Sequence, residues 1–392
     1  MFRKMPFILL AIILAVVCFA PFMPYALKQF LYSISLSIKS IIVLALPFII
    51  FTLLLKTVLT LSNKATKIIG LILFFVCCSN FISTFLSHYV GIGVYHLGFS
   101  MIVPPKTMEL LPLWTFSPPK LIANDKAMFA GIILGFILSR LSPNKSLRLV
   151  HKIDKVMNII LSVIVCLIPL FVAGFLIKLH YDGVVSIIIK EYAPIFLLIG
   201  LAQFVYIAFV LFSLNQFQIG GLFKDLKNML PAVISGFSTM SSAASMPLTI
   251  MGVENCTRNK ELSGAVIPAT VNIHLVGDCF AIPIFAYAVL KSFGMDEPSL
   301  LTYLQFTFYF VLAKFSVAAI PGGGIIVMLP ILETYLGFNT AMMSLITALY
   351  ILFDPVVTSA NVLGNGAFAK MIDAFTSHRS KKKYPAEGAI SN

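Results

Sequence analysis

The sequence predicts an all-α integral membrane protein whose second half contains two interrupted hydrophobic segments. Of the 392 residues, 59% are hydrophobic and only 11% are charged, whereas soluble domains carry about 25% charged residues. The mean hydropathy is +0.99. A chain with so few ionic groups cannot cover a water-exposed surface, so lipid must surround most of it.

The basic residues lie in clusters between the apolar segments, in a chain with a net charge of +13. Loops between these clusters carry fewer cations or more acids. The alternation follows the positive-inside rule and predicts that both termini are cytoplasmic, in a bacterial inner membrane. It also explains the positive charge without a nucleic-acid partner. The clusters are Arg3 and Lys4, Lys64 and Lys67, the five cations from Arg140 to Lys155, Lys224 and Lys227, Arg258 and Lys260, and the four cations from Arg379 to Lys383.

Apolar windows with at most one charged residue, most of them close to the roughly 20 residues that span a bilayer, divide the first part of the chain. They cover residues 5–27, 40–61, 68–98, 127–139, 156–177 and 192–223, of which the fourth is short or broken. The first window has a positive flank and no convincing cleavage site, so it is interpreted as a retained signal-anchor helix. The polar tail at 378–392 is expected to be disordered.

Two later stretches, 228–253 and 299–337, are apolar but carry small and helix-breaking residues near the middle. The first is interrupted from Gly236 to Pro247 and the second from Ile320 to Gly324. Each is predicted to be a re-entrant hairpin of two half-helices, because a broken straight helix would leave backbone groups unpaired in lipid. A span follows each hairpin, at 262–290 and 341–369, and the charge alternation gives the two units opposite orientation. Interrupted segments in inverted repeats point to the binding site of a transporter.

Three ionisable residues lie deep within these segments: Asp278, Lys314 and Asp354, with His274 near the first. A charged group at mid-bilayer costs about 2.5–3.5 kcal/mol, so each must face protein, water or a ligand. Lys314 can form a structural ion pair with one aspartate, which leaves the other to bind a substrate ammonium, a cation or a proton. His274 and Asp278 would share a helix face. Two such side chains are too few for a metal site, and His274 is either a satisfied histidine or a member of a proton relay.

The hairpin tips supply groups of complementary charge. The tips at Ser241 and Ser242, and at Gly322 and the two glycines that follow it, would present free N–H groups that suit a carboxylate. Asp354 suits an ammonium. An α-amino acid carries both groups and is therefore the predicted class of substrate. Pro355 disfavours helical geometry in the residue before it, so a local kink is expected to expose the Asp354 carboxylate.

Four motifs resemble signatures of the dicarboxylate/amino acid:cation symporter family, which includes the glutamate transporters, and they occur in the same order. They are the run from Ser241 to Pro247, the run from Pro268 to Gly277, the run from Ala319 to Gly324, and the pattern Asp354, Thr358, Asn361, Gly364 and Asn365. The resemblance implies eight transmembrane helices plus two re-entrant helical hairpins, arranged as inverted repeats. It also implies a homotrimer with an elevator mechanism.

The resemblance further implies domains and site residues. Residues 1–223 would be mainly scaffold, with segments around 68–98 joining a transport core at 224–373, and 374–392 would be a basic cytoplasmic tail. Asp354 would hold the substrate amino group, Asn361 would contact the substrate backbone, and Thr358 its side chain. The hairpin tips that close over the substrate would comprise Ser241, Ser242, Ile320, Pro321 and Gly322.

The sequence departs from the family pattern where acidic side chains and sodium would bind. The arginine of acidic-substrate members is replaced by Val357, and its alternative position by Met240. A substrate carboxylate would be desolvated against these apolar groups, so a neutral amino acid is favoured. The two sodium-binding aspartates correspond to Val276 and Asn365, and hard cations need oxygen ligands.

Coupling is therefore expected to have shifted to protons through His274, Asp278 and Lys314, or Lys314 acts as a tethered cation. The predicted function is an amino acid:cation symporter for a neutral substrate, with Na⁺ or H⁺ as the coupling ion and no other cofactor. The alternative is a sodium- or proton-coupled glutamate, aspartate or dicarboxylate symporter. A membrane-embedded enzyme that uses these acid–base groups and a non-transporting, channel-like homologue are further alternatives, although the chain shows no catalytic motif.

Overall fold

The structure, a computed structural model, describes residues 5–63, 67–96, 110–116, 118–119, 122, 124–141, 180–317 and 322–383, together with scattered residues between 152 and 178. The described residues are almost entirely helical and contain no strand. Their helices are α1 (Met5–Phe19), α2 (Tyr25–Asn63), α3 (Lys67–His96), α4 (Asn124–Leu141), α5 (Val184–Leu214), α6 (Ile219–Thr239), α7 (Ser242–Glu254), α8 (Lys260–Thr270), α9 (Val276–Ser292), α10 (Leu300–Lys314), α11 (Gly323–Leu336) and α12 (Thr340–Lys383).

Three helical segments in the described part of the chain are long and apolar enough to cross a membrane. They are Gly70–His96, Tyr192–Leu214 and Thr340–Thr376. Helix α9 lies at the centre of the molecule, because every one of its residues except Lys291 is buried. It packs against α12, α3 and α5. A helix that is apolar all round is expected at such a central position.

The first half of the chain differs from the predicted windows mainly in where its helices end. Helix α2 begins well before the predicted residue 40. The fourth window, predicted to be short or broken, lies in the continuous 18-residue helix α4. Helix α5 ends at Leu214 instead of continuing to residue 223, because Gln216 and Phe217 have positive φ values of 56° and 60°. A left-handed backbone cannot continue a right-handed helix. The predicted window at 156–177 lies partly outside the described residues.

Both predicted interruptions are present as breaks between paired helices. Helix α6 packs against α7 and is separated from it by Met240 and Ser241. Met240 has a left-handed φ of 48°, and the Ser241 hydroxyl caps α7 by accepting the Ala244 N–H at 3.2 Å. Helix α10 packs against α11, which begins after Gly322 at a φ of 71°. We call α6 with α7 the first hairpin and α10 with α11 the second hairpin.

The prediction of one span at 262–290 is wrong, because the chain breaks again between Thr270 and Val276. Asn80 on α3 stabilises this break from the side. Its amide donates to the Ile273 carbonyl at 2.7 Å, and its carbonyl oxygen accepts the Leu275 N–H at 3.2 Å. These bonds replace the helical bonds that the break removes. His274 therefore precedes α9, and the predicted helix face shared by His274 and Asp278 is also wrong.

The last helix is continuous through its proline. Helix α12 runs from Thr340 to Lys383 with Pro355 inside it, so the predicted departure of Asp354 from helical geometry is wrong. Surrounding helices support such a proline in a membrane protein, and here α5, α6, α7, α8, α9 and α11 all pack on α12. The tail that was expected to be disordered is helical as far as Lys383, and residues 384–392 lie outside the described residues.

Candidate functional site

A cavity lies where the two hairpin tips meet the break before α9 and the middle of α12. Four elements contribute polar and apolar groups to its wall. The lining residues are Met240 and Ser242 from the first hairpin, Val271, Asn272, Leu275 and Asp278 around the break, Val317 and Gly324 from the second hairpin, and Tyr350, Asp354, Thr358 and Asn361 from α12.

The α12 residues reach this cavity because of helical periodicity. Tyr350, Asp354, Thr358 and Asn361 follow one another at intervals of four, four and three positions, which places them on one face of a helix. All four are buried. The face therefore presents a hydroxyl, a carboxylate, a second hydroxyl and a carboxamide in a row along the cavity wall.

Asp278 is the centre of a buried hydrogen-bond network. Its Oδ2 accepts from Lys314 Nζ at 2.9 Å, and its Oδ1 accepts from Tyr350 OH at 2.9 Å and from Asn361 Nδ2 at 3.1 Å. The network joins α9, the second hairpin and α12. A fully satisfied buried network of this kind specifies one packing arrangement of its elements.

Close backbone approach at two glycines makes this network possible. Gly277 donates its N–H to Asn361 Oδ1 at 2.8 Å, which links the start of α9 to α12. A Cβ on Gly324 would lie 2.5 Å from both Asp278 Oδ2 and Tyr350 OH. Such a distance is sterically impossible, so the second hairpin can approach Asp278 only because residue 324 has no side chain.

Asp354 accepts hydrogen bonds from the second hairpin and from its own helix. Its Oδ2 accepts the Gly322 N–H at 2.9 Å, and its Oδ1 accepts from Thr358 Oγ1 at 3.2 Å. Gly322 caps the N-terminus of α11, where the helix dipole favours a negative charge. Among the described residues, no lysine or arginine forms a salt bridge with this carboxylate.

A second buried cluster lies one helical turn along α12 from Asn361. Asn365 Nδ2 donates to the Asn361 carbonyl at 2.9 Å and to the His274 carbonyl at 3.2 Å. The His274 ring hydrogen-bonds through Nε2 to Ser79 Oγ at 2.8 Å and packs 4.4 Å from the Phe368 ring centroid. Asn365 Oδ1 and His274 Nδ1 have no partner among the described residues.

Comparison with known proteins decides the family. A sequence profile of the sodium:dicarboxylate symporter family matches residues 120–375, which is more than half of the chain. The chain belongs to the sodium:dicarboxylate symporter family. The resemblance inferred from the four motifs is thereby confirmed.

The relatives that this chain matches are transporters and not enzymes. The chain is 24% identical over 233 residues to the serine/threonine transporter of Streptococcus thermophilus, covering 55% of each protein. It is 26% identical to the proton/sodium-glutamate symport protein of Geobacillus stearothermophilus, covering 44% of this chain and 39% of the relative. It is 27% identical to rat excitatory amino acid transporter 1, covering 40% and 28%. The chain thus spans about half or less of the length of these relatives.

The structure of this symporter-family member brings many of the predicted site residues together. Five of them line the cavity, namely Ser242, Asp278, Asp354, Thr358 and Asn361. Ser241 caps α7 and Gly322 binds Asp354 through its backbone, whereas Ile320 and Pro321 lie outside the described residues. Lys314 reaches the site through Asp278, and His274 and Asn365 form the neighbouring cluster.

Val357 was expected to contact the substrate, but it does not line the cavity. It is fully buried but is not part of the cavity wall, and its carbonyl lies against Gly277. Met240, the alternative position, lines the cavity directly. Of these two positions, the cavity wall therefore includes the one on the first hairpin and not the one on α12.

Sequence reasoning missed two residues that organise the site. Tyr350 donates to Asp278, and its position one helical turn before Asp354 was the signal that could have found it. Asn80 holds the break before α9. An uncharged amide in the middle of an apolar span was the corresponding signal, because such a group needs partners within the protein.

Proposed function

We propose that the protein is a secondary active transporter that carries a small neutral α-amino acid together with a cation. The observation that carries the proposal is a cavity lined both by Asp354 and by Ser242 at the N-terminal end of α7. No lysine or arginine is among the described residues that line it. Asp354 would hold the substrate ammonium. Ser242, the first residue of α7, lies among the backbone N–H groups that a helix start leaves unpaired. These groups would bind the substrate carboxylate.

The remainder of the cavity wall supports a neutral side chain. Met240, Val271, Leu275 and Val317 are apolar, and the ammonium of Lys314 is already bound to Asp278. A second carboxylate on the substrate would lose its hydration without gaining a partner, which is costly. One relative is named a serine/threonine transporter, which agrees with this class of substrate.

The substrate requires a movement of the hairpins. The cavity measures about 20 Å³, which is room for a water molecule or two and too little for an amino acid. Because Gly322 and Gly324 of the second hairpin contact the Asp354 and Asp278 side chains, separation of this hairpin from α12 would open the site. We further propose that the protein is a homotrimer in a bacterial inner membrane and that both termini are cytoplasmic. Residues 224–373, together with the segment around 68–98, would move as an elevator.

The contacts favour proton coupling over sodium coupling. Family resemblance places the sodium aspartates at Val276 and Asn365. The Asn365 amide nitrogen already donates to the His274 and Asn361 carbonyls, and a valine has no oxygen to offer. Since hard cations need several oxygen ligands, a proton is the simpler coupling ion for this site.

Counterflow in proteoliposomes tests the proposed function. Vesicles loaded with unlabelled L-serine, L-threonine or L-alanine should accumulate the same labelled amino acid, whereas vesicles loaded with L-glutamate or L-aspartate should not. Uptake should be driven by an inwardly directed proton gradient in choline buffer. Exchange of glutamate but not of serine would overturn the neutral substrate, and uptake that needs sodium and ignores pH would overturn proton coupling.

The second candidate is a symporter for acidic amino acids. The names of the relatives from Geobacillus stearothermophilus and rat favour it. In that case L-glutamate would have to bind with its second carboxylate near Met240. The same counterflow panel decides between the two candidates.

A further inference from the structure

Lys314 and Asp278 form a completely buried ion pair at the edge of the cavity. Their side chains are 0% and 2% exposed, and the ammonium also lies 4.4 Å from the centroid of the Phe310 ring. Each charge stabilises the other far from water, and removal of one partner would leave an uncompensated buried charge. The pair therefore acts as one electrically neutral unit within the site.

The charges around the cavity nevertheless do not balance. Asp278 and Asp354 both line it, and Lys314 compensates only the first. Residues 318–321, which lie outside the described part of the chain, are Ala-Ala-Ile-Pro and have no charged side chain. The His274 ring contacts Ser79 and Phe368 rather than either carboxylate. Counted over the described residues, the site thus holds one carboxylate in excess.

Two described lysines near the ends of α12 are too distant to compensate Asp354. Lys39 on α2 lies near the Thr340 carbonyl, at 3.4 Å. Thr340 is the first residue of α12, and the 14 positions from it to Asp354 correspond to about 21 Å of helix. Lys370, further along α12, binds Asp225. The excess charge has to be balanced by something that enters the site.

We propose that Lys314 is a built-in counter-ion that takes the place of one carried cation, so that one positive charge, rather than two, accompanies each substrate molecule. This inference rests on the proposed symport. A neutral amino acid adds no net charge to the site, and Asp354 then needs one cation before the loaded site is neutral. A buried net charge in the membrane is costly. Without Lys314, Asp278 would need a second cation.

Charge stoichiometry in proteoliposomes measures this directly. Labelled L-serine is placed in a tenfold gradient, and the membrane potential is set with potassium and valinomycin at equal pH and equal sodium on both sides. Net flux should vanish at about 60 mV for one charge per substrate and at about 30 mV for two, because tenfold is 1.4 kcal/mol and 100 mV is 2.3 kcal/mol per charge.

The variants separate the role of the charge from the role of the packing. Wild type and Lys314→Arg should balance at the one-charge potential, and Lys314→Met at the two-charge potential. The double variant Asp278→Asn with Lys314→Met removes the whole pair and should return to the one-charge potential. A one-charge potential for Lys314→Met, or a two-charge potential for the double variant, would overturn the proposal.

Thermal stability of the purified proteins tests the same claim without transport or substrate. The Tm of Lys314→Met should rise by several degrees when the pH is lowered or when sodium replaces choline, because a cation then binds Asp278 in the folded state. The Tm of the double variant should not respond. Equal responses of the two variants would refute the counter-ion role, whereas failed L-serine counterflow with unequal responses would refute only the proposed substrate.

Discussion

The hydroxyl of Tyr350 donates a hydrogen bond of 2.9 Å to the carboxylate of Asp278, and this bond joins the last helix to the central helix α9. Both residues are buried, and Asp278 also accepts from Lys314 on the second hairpin. Tyr350 therefore stabilises the position of the carboxylate that holds the hairpin in place.

Removal of the Tyr350 hydroxyl should loosen this network. We expect Tyr350→Phe to lower stability by about 1.5–3 kcal/mol, the usual contribution of a hydrogen bond to a charged group. Thermal unfolding in detergent measures the change. Tyr309→Phe is the matched control, since Tyr309 lies on α10 and its ring packs on Tyr335 away from the cavity. Equal losses in the two variants would contradict a specific role for the Tyr350 bond.

Asp354 should be needed for substrate binding but not for folding. In Asp354→Asn, the carboxamide oxygen can still accept the Gly322 N–H, whereas the negative charge that would attract the ammonium is lost. We expect the same Tm shift to require at least a tenfold higher concentration of L-serine, because a hydrogen bond to a charged group contributes about 1.5–3 kcal/mol and about 1.4 kcal/mol is tenfold in Kd. Asp373→Asn provides the control, because Asp373 also lies on α12 and accepts two backbone N–H groups, those of Arg258 and Asn259. An unchanged response to L-serine in Asp354→Asn would remove this carboxylate from the proposed site.

The two hairpins could be predicted from the sequence because the residues that cause each break lie at the break itself. Small residues around Ser241 and the glycines after Pro321 interrupt stretches that are otherwise apolar, and lipid permits no unpaired backbone. An ion pair of Lys314 with one of the two aspartates was among the possibilities for a similar reason, since a charge in an apolar segment must find a partner. The sequence did not say which aspartate it would be.

The break before α9 could not be predicted because its cause lies elsewhere in the chain. The side chain that stabilises it, Asn80, is on α3, almost 200 residues earlier. Tertiary contacts also determine the backbone at Pro355. A proline disfavours helical geometry in the residue before it, but neighbouring helices pack on α12 and it remains continuous. The orientation of Val357 likewise depends on how α12 is rotated against α9, which local sequence does not specify.

Conversion of Asn365 to aspartate should create a cation site. The Asn365 nitrogen now donates to two carbonyls, and Asn365→Asp would replace that donor with an oxygen facing the same two oxygens. Three converging oxygens repel one another unless a hard cation lies between them. We expect the Tm to fall in choline chloride and to recover in sodium chloride. Asn228→Asp serves as the control, because Asn228 also donates to a carbonyl, that of Asn255, but near the loop after α7. A variant whose Tm ignores sodium would show that these carbonyls do not form a cation site.

An arginine at residue 240 should admit acidic substrates, whereas an arginine at residue 357 should damage the protein. Met240 lines the cavity, so Met240→Arg places a guanidinium where the substrate side chain would lie. Arginine binds carboxylates through two parallel hydrogen bonds. We therefore expect a given Tm shift to require at least tenfold less L-aspartate in this variant than in wild type. Val357 is fully buried away from the cavity. Val357→Arg would therefore bury an unpaired charge and lower the Tm without a gain in L-aspartate binding. Thermal shifts with L-serine and L-aspartate measure both variants, and a gain at residue 357 instead of residue 240 would reverse the assignment of the group that selects the substrate.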